Sequence, residues 1–195
     1  MGGGGVNGLV LCIDPGPEQS GYVLVQDGKV IEGGRLCNEE LLDLSTWAGD
    51  PRYQSPNTII IEWLSCYGAA IGQSVLRTAE MCGRVKERLR LFYEPVKYIE
   101  ITRPEVCRRL TGKTRSITKA VIRRAVIDIM GEVGTKPKPG PLYIMRSAGP
   151  HAWDALALFA AHCHGAEHGE GDEMDPLDTT MQICIFPAQT TEGVK

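Results

Sequence analysis

Three acidic residues stand where an acid is costly. Asp14 ends the apolar run Leu9-Val10-Leu11-Cys12-Ile13, and Glu62 ends Ile59-Ile60-Ile61. Asp154 lies inside His151-Ala152-Trp153-Asp154-Ala155-Leu156-Ala157-Leu158, a stretch apolar on nearly every face. A lone carboxylate in such surroundings takes up a proton or finds a cation. Three of them, far apart in sequence and each on a core-like element, point to one shared cation site. That many hard oxygen donors suit magnesium or manganese better than zinc. Metal-assisted phosphoryl chemistry on nucleic acid is therefore the leading expectation. His151 precedes Asp154 by three residues, so on a helix the two share a face and can address one ion. Each residue also has a plainer reading. Asp14 can cap the Pro15-Gly16 turn, Glu62 can pair with an arginine at a sheet edge, and His151 can belong to a helix start after Gly149-Pro150.

Charge is distributed to match. The net charge of −3 conceals a segment, Arg103 to Lys138, with ten lysines and arginines against three acids, or +7. The stretch from Gly165 to Lys195 carries seven acids and one lysine, or −6. Cations to hold phosphates beside acids to hold a metal are what a nucleic-acid enzyme needs, although a solvated helix face would look similar. Lys119 is the residue expected nearest a scissile phosphate, with Arg109, Lys113, Arg115 and Arg123 as further DNA contacts. Trp63 follows Glu62 directly, so alternation turns it to the opposite face, toward core packing rather than base stacking. Tyr67, in the loop beyond, is a candidate stacking platform or wedge. His162-Cys163-His164 has no second ligand pair at a useful distance and reads as a helix end, not a zinc site.

The elements that must carry these residues can be read in order. Gly8–Ile13 reads as a buried strand followed by the turn Asp14-Pro15-Gly16-Pro17. Ser20–Gln26 and Lys29–Leu36 are two further strands joined by the hairpin signal Asp27-Gly28. Residues 38–48 look helical, and Thr58–Ile61 is a short β-branched central strand. Residues 68–91 form a long helical pattern, Val96–Ile101 a fifth strand, and Arg103 to Gly112 a short helix. Ile117–Met130 and Ala152–His164 complete the helices, with a stiff basic loop at Thr135–Pro141 between them. Three antiparallel strands followed by strand–helix–strand make a mixed five-stranded α/β sheet flanked by helices. Asp14 and Glu62 then face each other if their strands are neighbours. The 68–91 helix carries more than one apolar stripe, so one face is core and another is open to a dimer contact.

At 195 residues, one domain with a core is expected. Residues 1–7 read as a flexible leader, 8–164 as the folded domain, and 165–195 as an acidic tail that is disordered or docks a partner. No run approaches the ~18 apolar residues needed to span a membrane. Seven scattered cysteines argue for reduced thiols and a cytoplasmic location, the host's if the source is viral.

Four blocks of sequence carry a family likeness. They are Ile13-Asp14-Pro15-Gly16 with Gly21-Tyr22, then Ile61-Glu62 before a long helix, then Leu110-Thr111-Gly112 with Lys119, and finally His151-Ala-Trp-Asp154-Ala-Leu-Ala-Leu. In this order the chain resembles the RuvC-type Holliday-junction resolvases of RNase H-like fold. It is particularly similar to the bacteriophage branch, which Pro139-Gly-Pro-Leu-Tyr also suggests. The likeness spans residues 8–164. It implies a homodimer that nicks opposing strands of a four-way or otherwise branched DNA, leaving 5′-phosphates. It implies two Mg2+ ions per site, with Mn2+ able to substitute, and Asp14, Glu62 and Asp154 as ligands. His151 stands at the family's fourth metal-site position, and Tyr67 at that of an aromatic that probes the junction centre. In a two-metal site some ligand must bridge both ions, and Asp14, from the most central strand, is the expected bridge. Other readings stay open: a nuclease of the same fold acting on forks, flaps or RNA–DNA hybrids, or a junction-binding scaffold without catalysis. Nothing in the sequence says whether a branch-migration partner is needed.

Overall fold

The structure is a computed structural model that describes residues 8–43, 55–65, 71–92, 96–114 and 117–167. The expected leader, Tyr67, Arg115 and nearly all of the acidic tail lie outside the described residues. Five strands form one sheet: β1 (Leu9–Asp14), β2 (Gln19–Gln26), β3 (Lys29–Cys37), β4 (Thr58–Trp63) and β5 (Lys97–Thr102). Their order is β3-β2-β1-β4-β5. The first three strands are antiparallel neighbours, and β4 and β5 add in parallel on the other side of β1. The helices are α1 (Asn38–Leu42), α2 (Gln73–Phe92), α3 (Arg103–Thr111), α4 (Lys119–Met130) and α5 (Gly149–Glu167), with a 3-10 turn at Tyr143–Arg146. This is the mixed sheet with flanking helices that the sequence predicts.

Strand alternation sorts the core into two layers. Leu9, Leu11, Ile13, Ile59 and Ile61 pack with Met81, Val85 and Leu89 of α2. Val10, Cys12 and Ile60 point the other way, into a cluster built around α5 with Val106 of α3 and Ile122 and Val126 of α4. Helix α5 is buried along most of its length because it lies between the sheet and the pair α3 and α4. A helix enclosed on both sides has no polar stripe, which is why residues 152–161 read as apolar all round. One step beyond the paired residues Ile13 and Ile61 come Asp14 and Glu62. By the same alternation both acids belong to the α5 face, and Trp63 falls on the α2 face, where the Lys86 ammonium lies 5.3 Å from its ring centre.

Local chemistry sets the joints. Asp27 and Gly28 both adopt positive φ, at 48° and 78°, the conformation of a tight hairpin between β2 and β3. The loop after Asp14 is pinned from α1: Asn38 donates to the Gly16 carbonyl at 3.1 Å, and the Ser20 hydroxyl donates to Asn38 at 2.9 Å. Helix α1 starts with a capping box between Cys37 and Glu40 and ends at Leu42, and residues 44–48 of the expected helix lie outside the described residues. Helix α2 starts at Gln73, after the non-helical residues 71 and 72, while residues 68–70 of the expected helix lie outside the described residues; α5 runs to Glu167, past the expected boundary at 164. There Gly165 is buried, and Arg109 packs where a side chain would otherwise project. No described residues pair in a disulfide, and Cys12 and Cys82 are buried in the core. No helix among the described residues is long and apolar enough to cross a membrane.

Gly21 couples the sheet to the site. It is the β2 partner of Asp14, and a Cβ there would stand 2.2 Å from the His151 carbonyl oxygen at the start of α5. That contact is with backbone, so the helix itself would have to move. Gly21→Ala is expected to destabilise the protein by about 1–3 kcal/mol, the usual range for overpacking. A lowered urea midpoint with an unchanged denaturant slope would show it, and unchanged stability would mean α5 is free to shift.

Candidate metal centre

Four elements converge at one end of the sheet. Asp14 closes the central strand and Glu62 sits at the C-terminal end of its parallel neighbour. Helix α5 crosses the same face with His151 and Asp154 on its inward side. The His151 Nδ1 and Asp14 Oδ2 atoms are 3.2 Å apart. Asp14, His151 and Asp154 each bring a ligand atom into a group no wider than 4.8 Å, close enough to hold one cation. Glu62 lines the same cavity beside Asp14 and lies outside that group of three. A cavity of about 280 Å³ opens over these residues, and Arg103 and Lys119 line it as well. The ends of parallel strands in an open α/β sheet are where such crevices form.

The electrostatics ask for positive charge. Burial, then repulsion from Asp154, raises the Asp14 pKa from 3.8 to about 7. Burial, then repulsion from Asp14, raises the Glu62 pKa from 4.5 to about 8. Two buried carboxyls, each held back from ionising by burial and by a neighbouring acid, are stabilised as anions by a shared cation. The donors are carboxylate oxygens and one imidazole, a set that fits a hard or borderline divalent ion, and no thiolate is among them.

Asp154 is the most enclosed acid of the group, with its side chain 7 % exposed, and each of its oxygens already has a partner. Arg103 donates to Oδ1 at 3.0 Å and Lys119 to Oδ2 at 2.6 Å. Lys119 is the first residue of α4, which Thr118 caps by accepting from the Val121 amide. Burial disfavours the Arg103 charge, but Asp154 and Glu62 outweigh it and raise its pKa further. Arg103 was absent from the sequence expectations. What brings it to the site is the parallel pairing of β5 with β4, which sets the residue after β5 at the same end of the sheet as Glu62.

The basic segment divides by position. Lys113 is exposed beyond the end of α3, and Arg123 is exposed with its guanidinium 4.1 Å above the Trp153 ring. Arg109 corrects an expectation. Its side chain is only 4 % exposed and reaches Glu105 at 2.5 Å, turned into the α3–α5 contact instead of toward a groove. An i, i+4 acid and the small Gly165 together draw it inward. His162 and His164 lie near the end of α5, away from the acid group.

With fold and site in view, the chain is a mixed five-stranded sheet of RNase H-like topology that carries an acid–histidine cluster capable of holding a metal ion. The same fold appears in a Thermus thermophilus RuvC structure, with a TM-score of 0.55 at 18% identity, covering 83% of this chain and 96% of that one. It appears again in T. thermophilus RuvC in complex with a Holliday junction substrate, with a TM-score of 0.56 at 16% identity, covering 84% of this chain and 97% of that one. No protein-family model and no curated protein sequence matches the chain.

The raised pKa values have a consequence for stability. Asp14 and Glu62 keep their protons to higher pH folded than unfolded. Between about pH 4 and pH 8 the folded chain therefore binds more protons, and stability falls as pH rises through that window. The metal-free protein is expected to melt lower at pH 8 than at pH 5, by more than the roughly 2–4 °C that ~1 kcal/mol makes in a domain of this size. Asp14→Asn should flatten the slope, and scanning calorimetry in chelator at several pH values measures both.

Proposed function

We propose that this chain is a structure-selective endonuclease that resolves four-way DNA junctions by paired, metal-dependent nicks in opposing strands. The observation that carries the reading is the acid group Asp14, Glu62 and Asp154 with His151, gathered in one cavity whose walls include Arg103 and Lys119. The sequence blocks that resemble RuvC-type resolvases, and their phage branch in particular, supply those same residues. The T. thermophilus RuvC that shares this fold was captured with a Holliday junction substrate, and that supports the choice of DNA over other phosphodiesters.

In this reading Asp14, Glu62, His151 and Asp154 are the ligands of two Mg2+ ions, with Mn2+ able to replace them. Bound there, the ions would supply positive charge for the scissile phosphate and a water of lowered pKa. The chain's own residues do the rest. Lys119, exposed and at the cavity mouth, contacts the phosphate. The contact His151 makes with Asp14 holds its ring at the metal group. Lys113 and Arg123 are backbone contacts along the flank of α3 and α4, joined by Arg115 and Tyr67 from outside the described residues. Recognition of this kind reads junction shape and backbone with at most a short sequence preference. A homodimer would set two such sites on a symmetric junction, and exposed Ile71, just before α2, and Leu76, in its first turn, suit the subunit contact.

Cleavage of a synthetic four-way junction in magnesium, beside matched duplex, fork and RNA–DNA hybrid, tests this. Paired symmetric nicks are expected on the junction alone. Asp154→Asn and Glu62→Gln should each lower cleavage by more than the ~10–100-fold that loss of a metal's outer partners costs, with junction binding kept. Preference for hybrid or fork would keep the nuclease and replace the substrate, whereas binding without any cutting would leave a scaffold. Leu76→Glu should shift the sedimentation equilibrium toward monomer if α2 forms the dimer contact.

A further inference from the structure

Asp154 is the acid whose oxygens are both engaged by cations. Arg103 holds Oδ1 and Lys119 holds Oδ2. The two cations are not equivalent. Arg103 starts α3 next to the rigid end of β5, its side chain is 30 % exposed, and it interacts with both Asp154 and Glu62. The Lys119 side chain is 66 % exposed at the cavity mouth, on a flexible four-carbon stem. Asp154 belongs to the group that can surround a metal ion, so its contribution must come through an oxygen that a cation already occupies.

We infer that Arg103 is a fixed positioning clamp on Asp154 and that Lys119 is an exchangeable counter-ion, one that must leave Oδ2 for a divalent ion to bind. Without metal, Lys119 balances part of the charge of three crowded carboxylates. On exchange its ammonium is released at the mouth of the cavity, where a phosphate oxygen is its natural next partner. Metal loading and phosphate capture would then be linked through one side chain. Lys119 is the partner that yields because its exposed ammonium can be rehydrated on release, whereas the guanidinium bonds Asp154, feels the charge of Glu62 as well and is partly shielded from water. The assignment of Asp154 as a ligand rests on the proposed metal centre, and the exchange is a separate claim about it.

The test is binding of Mn2+ alone to the DNA-free protein, read by electron paramagnetic resonance of the free ion and by calorimetry. Lys119→Met should bind Mn2+ more tightly than the unaltered protein, by roughly five- to tenfold, because no ammonium has to be displaced. Lys119→Arg restores a cation and should return affinity close to the starting value. Arg124→Met removes an exposed charge from the same helix, one paired with Asp128, and should change affinity less than twofold if direct competition rather than overall charge matters. Equal or weaker Mn2+ binding by Lys119→Met, with clear binding by the unaltered protein, overturns the exchange and leaves the metal centre standing. Binding by neither protein removes both.

Discussion

Mutual repulsion among three carboxylates is the constraint around which the rest of this molecule is arranged. Asp14, Glu62 and Asp154 are held close by a sheet and a helix that cannot relax away from each other, since both are built into the core. Burial removes the water that would screen them, Asp154 raises the cost of ionising Asp14, and Asp14 raises that of Glu62. A chain that keeps such a group needs positive charge to hold it. Arg103 and Lys119 meet that need in part, and the acids and His151 that line the cavity are able to hold a further cation.

The placement of those acids follows from simple periodicities. Period two along β1 and β4 turns Asp14 and Glu62 to one face while their apolar neighbours seal the other against α2. A spacing of three along α5 sets His151 and Asp154 on one side of the helix. What brings the two systems within ligand distance is close approach: Gly21 has no Cβ, and the His151 backbone occupies that space. The active geometry thus depends on a residue with no functional group. Alanine at that position would act on the site only through the position of α5.

Charge in the basic segment turns out to serve several purposes. Arg109 is structural, Arg124 is paired with Asp128 and Glu132, and Arg103 and Lys119 are committed to Asp154. Arg123 lies on Trp153, whose indole nitrogen donates to the Met145 carbonyl, so this cation also covers part of the core. A net count of positive residues therefore overstates the surface available to phosphates. Among the described residues, Lys113 stays exposed beyond the end of α3 and Arg123 on the outer side of α4.

Much of this was legible in the residues alone. The strands, their antiparallel-then-parallel order and the four residues of the acid group follow from apolar runs that end in acids, from the Asp27-Gly28 turn and from the His151–Asp154 spacing. These are local signals, carried within a few residues, and local backbone preference is enough to express them. Tertiary structure alone decided that Arg103 belongs to the site and Arg109 does not. Both are arginines on one short helix, six residues apart, and no pattern in the sequence separates them. One projects at the end of the sheet beside Asp154 and the other turns into the space beside Gly165. A long cationic side chain takes its role from the acid that folding places within its reach, and that placement is a property of packing between distant segments.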